Sequence, residues 1–359
     1  MRITNSMMLA NTVWNINQNM ERLSKAQDRQ SSQSKIQLPS DDPTVAARAI
    51  KYRSYVAAVT QYQKNVGDAI SWQNVTDSAL SSLGDVIKKL RDLTVQASST
   101  GTLSENDLQD IKDQVSVLKQ QAVDIMNTSY AGRYIFAGYA TDQPPYQILS
   151  TTTPVAVGDK VMFKGQYLSL GGPMSASLSD ADIQNYCQAH AAEMYNAGPA
   201  QAIKYDIGFG TQLAINVEGQ DVIGQSTGAN LFDTIDKLLL GLDGATTYKT
   251  ASIDPTTSPP TVTVTTNSFK LDDLLNEFDA DYNRVLAARS SLGARMNYAQ
   301  MMQTRLGDDA TTYKTLMSNN EDVDVAQSSV DVSTAEYVYE ASLAVGAKVN
   351  SKTLVDFLT

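Results

Sequence analysis

The sequence predicts a mainly α fold with a β-rich insertion: a long antiparallel helical coiled-coil bundle formed by N- and C-terminal arms, with a middle domain projecting outward. Three observations carry this expectation. Apolar residues recur at alternating steps of three and four in both arms, Gly and Pro are sparse there, and most prolines and Thr-rich tracts lie between them. With 42% hydrophobic but only 7% aromatic residues, the chain suits narrow helical seams better than one thick core.

Five segments follow in order: 1–42, 43–141, 142–268, 269–320 and 321–359. In the first, Leu9, Val13, Ile16, Met20 and Leu23 form an amphipathic stripe that has few local residues to cover it, so these are candidate partner-binding positions. PSDDP at Pro39–Pro43 then starts a helix. Asp42 is suited to the N-cap, and Pro43 to the first helical position, where its missing N–H costs nothing.

The second segment holds Trp72, Thr76, Ala79, Leu83, Val86, Leu90, Leu93 and Ala97 in one frame. After the turn GTLSEN, Ser104 is placed to cap a third helix with Asp107 near its positive end, and Leu108, Ile111, Val115, Leu118, Ala122 and Ile125 repeat the pattern. The third segment carries TTTP and TVTVTT, which read as strand and loop, and GFGTQ at Gly208–Gln212 reads as a hairpin turn.

The fourth segment has the longest frame, Leu271, Leu275, Phe278, Tyr282, Val285, Leu292, Met296, Ala299, Leu306, Ala310, Tyr313 and Met317, with Arg289 and Gln303 as its polar members. Leu83, Leu90, Leu118, Leu292, Met296 and Leu306 are therefore assigned to the helix-bundle seam. In the last segment EDVD at Glu321–Asp324 places carboxylates at a helix start, and Val330, Tyr337, Ala341 and Ala344 form a second candidate partner-binding stripe. Periodicity alone does not separate an ordinary bundle core from an assembly interface; the thin outermost stripes favour assembly.

A formal net charge of -11 without a basic run argues against nucleic acid, and no stretch approaches the roughly 20 apolar residues that span a bilayer. The N-terminus lacks the apolar core and cleavage site of a Sec signal. Cys187 is the one cysteine, so no intrachain disulfide forms. Cys187 and His190 would share a helical face, and Asp41 with Asp42 offers two carboxylates, but neither pair completes a metal or nucleophile site. No phosphate loop, serine elbow or HExxH helix is present, so neither catalysis nor a cofactor or metal is expected.

MRITNSMM, SSQSKIQLPSDDPTVAARAI and NNEDVDVAQSSVDVSTAEYVYEASLAVGAKV resemble the paired terminal regions of bacterial flagellins and their hook-associated relatives. AGRYIFAGYATDQPPY, NLFDTIDKLLLGL and the ending SKTLVDFL are similar to the branch of that family that joins hook to filament. SSQSKI departs from the S-x-G-K pattern common there, which makes the turn before PSDDP a point to check in the structure. The resemblance implies a secreted structural subunit, exported unfolded by the flagellar type III apparatus and located outside the cell at the hook–filament junction. Its implied partners are neighbouring copies in a ring or helical layer, a hook-side junction protein, flagellin and a flagellar export chaperone, with no nucleic acid or membrane. Filament flagellin is the nearest alternative, against which GRYIFAGY and LVDFL weigh. A hydrolase or sugar-binding middle domain is a further one, for which no convergent acidic pair is visible.

Overall fold

A computed structural model describes residues 5–98, 104–151, 158–196, 198–225, 229–254, 257 and 259–355. The first four residues of MRITNSMM, Gly101–Leu103 of the GTLSEN turn, most of TTTP and the DFL of the ending lie outside the described residues. The helices are α1 (Asn5–Ser32), α2 (Pro43–Ser98), α3 (Glu105–Met126), α4 (Asp180–Ala189), α5 (Gly219–Ile223), α6 (Leu231–Leu242), α7 (Leu271–Glu321) and α8 (Val325–Val355). Ten strands fall between α3 and α7: β1 (Ser129–Tyr130), β2 (Arg133–Tyr134), β3 (Tyr146–Thr151), β4 (Gly158–Phe163), β5 (Gln166–Tyr167), β6 (Met174–Ser175), β7 (Lys204–Gly208), β8 (Thr211–Ala214), β9 (Thr247–Asp254) and β10 (Thr261–Ser268). The expected class, long terminal helices with a β-rich region between them, is the one observed.

The chain forms two compact units, Met1–Gln61 with Arg305–Thr359, and Tyr62–Thr304, and α2 and α7 each contribute to both. In the first unit α1 packs against α8. Gln30 donates to Ser329 Oγ at 3.1 Å while Ile16 lies beside Gly346, so the two helices run antiparallel. Glu321, expected at the start of the last helix, instead ends α7, where it accepts a forked pair of bonds from Arg53 at 2.5 and 3.0 Å. Asp324 supplies the cap: its Oδ1 accepts from the N–H groups of Ala326 and Gln327 at 2.9 and 3.2 Å. The turn in SSQSKI forms without glycine. Gln33 takes the left-handed region at φ 55, and its carbonyl accepts from Val323 N at 3.0 Å.

In the second unit α2 and α7 run antiparallel, tied by Arg289 to Asp77 at 2.7 Å and Arg91 to Asp279 at 2.8 Å. Gly84 permits the close approach between them, since a Cβ there would stand 3.3 Å from the Tyr282 ring. The frame from Trp72 to Ala97 is buried as expected, and Leu80, Ile87 and Thr94 form a second buried stripe because α2 is covered on more than one side. On α7, Phe278, Val285, Leu292, Ala299 and Leu306 are buried, whereas the positions between them shift by one: Leu274 is fully buried beside a half-buried Leu275, and Met302 is buried where Gln303 is exposed.

Helix α3 begins with a capping box, Ser104 and Asp107 bonding each other's backbone N–H. One hydrophobic core joins Ile111 and Met126 of α3, Tyr146 and Phe163 of the strands, Phe232 and Leu238 of α6, and Phe278 of α7. The compositional change at 141/142 falls inside this packed unit, where Asn127 exchanges two hydrogen bonds with the backbone of Tyr146 at 2.7 and 2.9 Å. The strands form antiparallel sheets ordered β3-β4-β5 and β10-β9-β6, with hairpins β1-β2 and β7-β8. GFGTQ turns the β7-β8 hairpin through Gly210 at φ 72, and Phe209 packs edge-on against Tyr62. A smaller core of Tyr167, Ile183, Cys187 and Val262 lies between α4 and the β10-β9-β6 sheet.

Candidate assembly surface

Two helices of the first unit, α1 and α8, carry both candidate partner-binding stripes. The α1 positions divide. Ile16 and Leu23 are half-buried, while Leu9, Val13 and Met20 are exposed. Apart from Gln18, the half-buried positions of α1 step 4, 3, 4, 3 through Thr12, Ile16, Asn19, Leu23 and Ala26, which is the pattern of a helix seam.

On α8 the matching line is Ser328, Val332, Ala335, Tyr339, Ser342 and Gly346, a stripe of mostly small residues that an apolar count of the sequence passes over. Small side chains let the two helices approach closely; a Cβ at Gly346 would stand 3.0 Å from Ile16 Cδ1. All four α8 candidates, Val330, Tyr337, Ala341 and Ala344, lie outside this line and are exposed, Tyr337 to 74%.

The pair therefore meets through Ile16 and Leu23 of α1 and a line of mostly small residues on α8, and leaves most of its other large apolar side chains in water. Met7, Met8, Trp14, Val325, Val338, Leu343 and Val345 are exposed as well, Trp14 to 63%, and sequence periodicity had not singled them out. Burying such surface is worth about 25 cal/mol per Å². Large apolar side chains clustered at a surface are a mark of interaction sites.

The seam residues serve another purpose. Leu83, Leu90 and Leu292 are fully buried in the second unit, with Leu118 and Met296 half-buried around them, and Leu306 is buried in the first. At the start of α2, where Pro43 is the first helical residue, Asp42 Oδ1 accepts from the N–H groups of Thr44 and Val45 at 2.9 and 3.1 Å. Bonds from the Thr44 hydroxyl and the Val45 N–H hold its carboxyl below the usual range. Asp41 accepts from Gln37 and Leu38 N–H, so both aspartates are engaged by backbone in shaping the turn.

Among the described residues no group of three or more His, Cys, Asp and Glu is placed to hold a metal ion, and no helix is long and apolar enough to cross a membrane. Cys187 is buried, and burial pushes its thiol up to about 11. His190 turns to Glu193 at 3.0 Å and to the rings of Tyr167 and Tyr186, with no hydrogen bond joining it to Cys187.

Two family descriptions match the chain: the bacterial flagellin N-terminal helical region over residues 3–141 and the bacterial flagellin C-terminal helical region over 275–358, together more than half of it. The chain is 40% identical over 112 residues to the flagellin of Escherichia coli K12, a stretch covering 31% of this chain and 22% of that protein. It thus spans about a fifth of the length of the flagellins it matches. It is 23% identical over 337 residues to the flagellar hook-associated protein 3 of E. coli K12, covering 90% of this chain and 89% of that one. In fold it is similar to a structure designated a flagellar hook-associated protein of Vibrio parahaemolyticus, at 16% identity and a TM-score of 0.55, over 79% of this chain and 100% of the other. These relatives are structural flagellar proteins and not enzymes.

Proposed function

We propose, for a chain that belongs to the bacterial flagellin family, a structural role at the junction between hook and filament. The observation that carries this reading is the extent of the two similarities. The alignment with E. coli K12 flagellin runs over 112 residues and about a fifth of that protein, and the flagellin helical regions match only the two arms, whereas likeness to hook-associated protein 3 runs almost end to end in both chains. A filament subunit would share the arms, so it is the reading to test against.

In this account 1–42 and 321–359 are the assembly segments, 43–141 and 269–320 the helical arms that position them, and 142–268 the projecting middle domain. The exposed side chains of Leu9, Val13 and Met20 on α1, with Val330, Tyr337, Ala341 and Ala344 on α8, are covered by neighbouring copies in a ring or helical layer. Ile16 and Leu23 hold the pair together within one copy. A hook-side junction protein and flagellin flank the layer, and an export chaperone covers the apolar faces before type III export to the exterior.

Immuno-electron microscopy of a tagged chain on isolated flagella separates the two readings. A single band at the hook–filament boundary supports the junction role. Label along the filament means a flagellin.

A further inference from the structure

The α1–α8 pair has two chemically different sides. At about 100° per residue, Arg22, Lys25 and Arg29 fall about 100° to one side of the α1 seam, and Leu9, Val13 and Met20 about 80° to the other. On the first side Arg22, Lys25, Arg29 and Lys35 line a cleft of about 590 Å³. Three carboxylates line it too and keep their charge, Asp42 and Asp41 held by backbone N–H groups and Asp331 by Gln327 Nε2 at 2.9 Å, so the four cations outnumber them by one. Lys25 pairs with Glu21 at 2.9 Å and Lys35 donates to the Asn319 carbonyl at 2.7 Å. Among the described residues neither Arg22 nor Arg29 forms an ion pair, although Arg29 is near enough to Asp41 to help lower its carboxyl.

The opposite side carries the reverse charge. Glu336 and Glu340, one turn apart on α8, lie about 100° around from its seam on the side away from Asp331 and the cleft. Both are exposed, and among the described residues neither forms an ion pair. The antiparallel register set by Gln30 with Ser329 and by Ile16 with Gly346 places them level with about Met20 to Ser24 of α1. They thus stand level with Arg22, with Arg29 more than a turn further along α1, and next to the exposed Leu343.

Flanks that differ in charge, arginines on one side and glutamates on the other, do not match through a two-fold axis that sets like flank on like flank, but each matches the opposite flank of a translated or rotated copy. Such a heterologous contact generates rings or helices. We propose that adjacent copies pack basic flank to acidic flank, Arg22 and Arg29 of one facing Glu336 and Glu340 of the next, and that this pairing fixes the direction and register of assembly. The proposal rests on the reading that the chain assembles with its own kind. Apolar burial supplies attraction without direction, whereas like-charged flanks brought together are penalised, so the charges reject the wrong orientation.

The test uses the full-length chain, expressed as the only copy in the source bacterium, and measures how much is retained on flagella against how much is shed into the medium. R22E/R29E makes both flanks acidic and E336K/E340K makes both basic. All four positions being at the surface, each variant is expected to keep the helical content and unfolding temperature of the unsubstituted chain. Each alone is expected to lose retention on the order of tenfold. Co-expressing the two, or combining all four substitutions in one chain, restores complementary flanks and is expected to recover retention. Retention of every variant at the unsubstituted level overturns the flank pairing while leaving assembly intact. Loss without recovery in either combination also overturns it and means that a different partner meets these flanks. An unsubstituted chain absent from flagella overturns the assembly reading itself.

Discussion

Leu292→Ala tests whether the α7 frame is the seam that holds the second unit together. Leu292 is fully buried in the core that also contains Val285 and Phe278 from the same helix and Leu83 and Leu90 from α2. Truncating a fully buried leucine removes its transfer free energy and leaves a cavity, about 2–5 kcal/mol in all. In a unit the size of Tyr62–Thr304 each kcal/mol lowers Tm by about 2–4 °C, so a loss of about 3 kcal/mol lowers it by about 6–12 °C. Ser290→Ala, two residues away at an exposed position, is the control and should move stability by less than about 0.5 kcal/mol. The assay is thermal unfolding of the full chain followed by circular dichroism and calorimetry, because two units need not melt together. Equal melting of the two variants would refute the seam, since it would mean that Leu292 loses no packing on truncation.

Three further outcomes are expected. Lys119→Met removes the partner of Asp236, bonded at 2.6 Å with both side chains largely buried, and should cost about 3–5 kcal/mol in urea unfolding, while K119M/D236L recovers much of the loss. Burial raises the Asp281 carboxyl from an ordinary value of 3.8 to about 7, against the lowering effect of Arg284. The folded chain then binds this proton more tightly than the unfolded chain between those values, so wild-type stability falls as pH rises through that window. The cost is complete above about 7, and the stability of D281N relative to wild type should accordingly improve by about 2–3 kcal/mol from pH 5 to pH 8 in parallel denaturant titrations. Asp42→Ala removes the acceptor for two N–H groups at the start of α2 and should cost about 1 kcal/mol, read as a shift of the denaturant midpoint with unchanged slope.

Elements whose cause is local were legible in the sequence. The Asp42 and Ser104 caps, the hairpin turn at GFGTQ and the one-per-heptad line Phe278, Val285, Leu292, Ala299 and Leu306 each depend on residues within a few positions of one another. The other line of α7 is offset by one residue at both ends, Leu274 in place of Leu275 and Met302 in place of Gln303, because which residues are covered there is set by the elements packed on α7 and not by the repeat itself. The α1–α8 seam was hidden by its own composition, since Ser328, Ser342 and Gly346 pack closely by being small and score as polar or neutral in an apolar count. The pairs Lys119–Asp236, Arg289–Asp77 and Arg53–Glu321 join residues more than a hundred positions apart, and only the fold brings them together.

If α1 and α8 carry an apolar surface that only assembly completes, hydrogen exchange of the full chain, free and on flagella, must register it at both helices. Backbone amides of α1 and α8 are held in the free chain by a narrow seam with large side chains exposed, so they should exchange faster than those around Leu83, Leu90 and Leu292. On flagella their protection should rise towards that of the buried seam, while the second unit changes little. Terminal helices as protected in the free chain as the Leu292 seam, or no slower to exchange once assembled, would contradict the account.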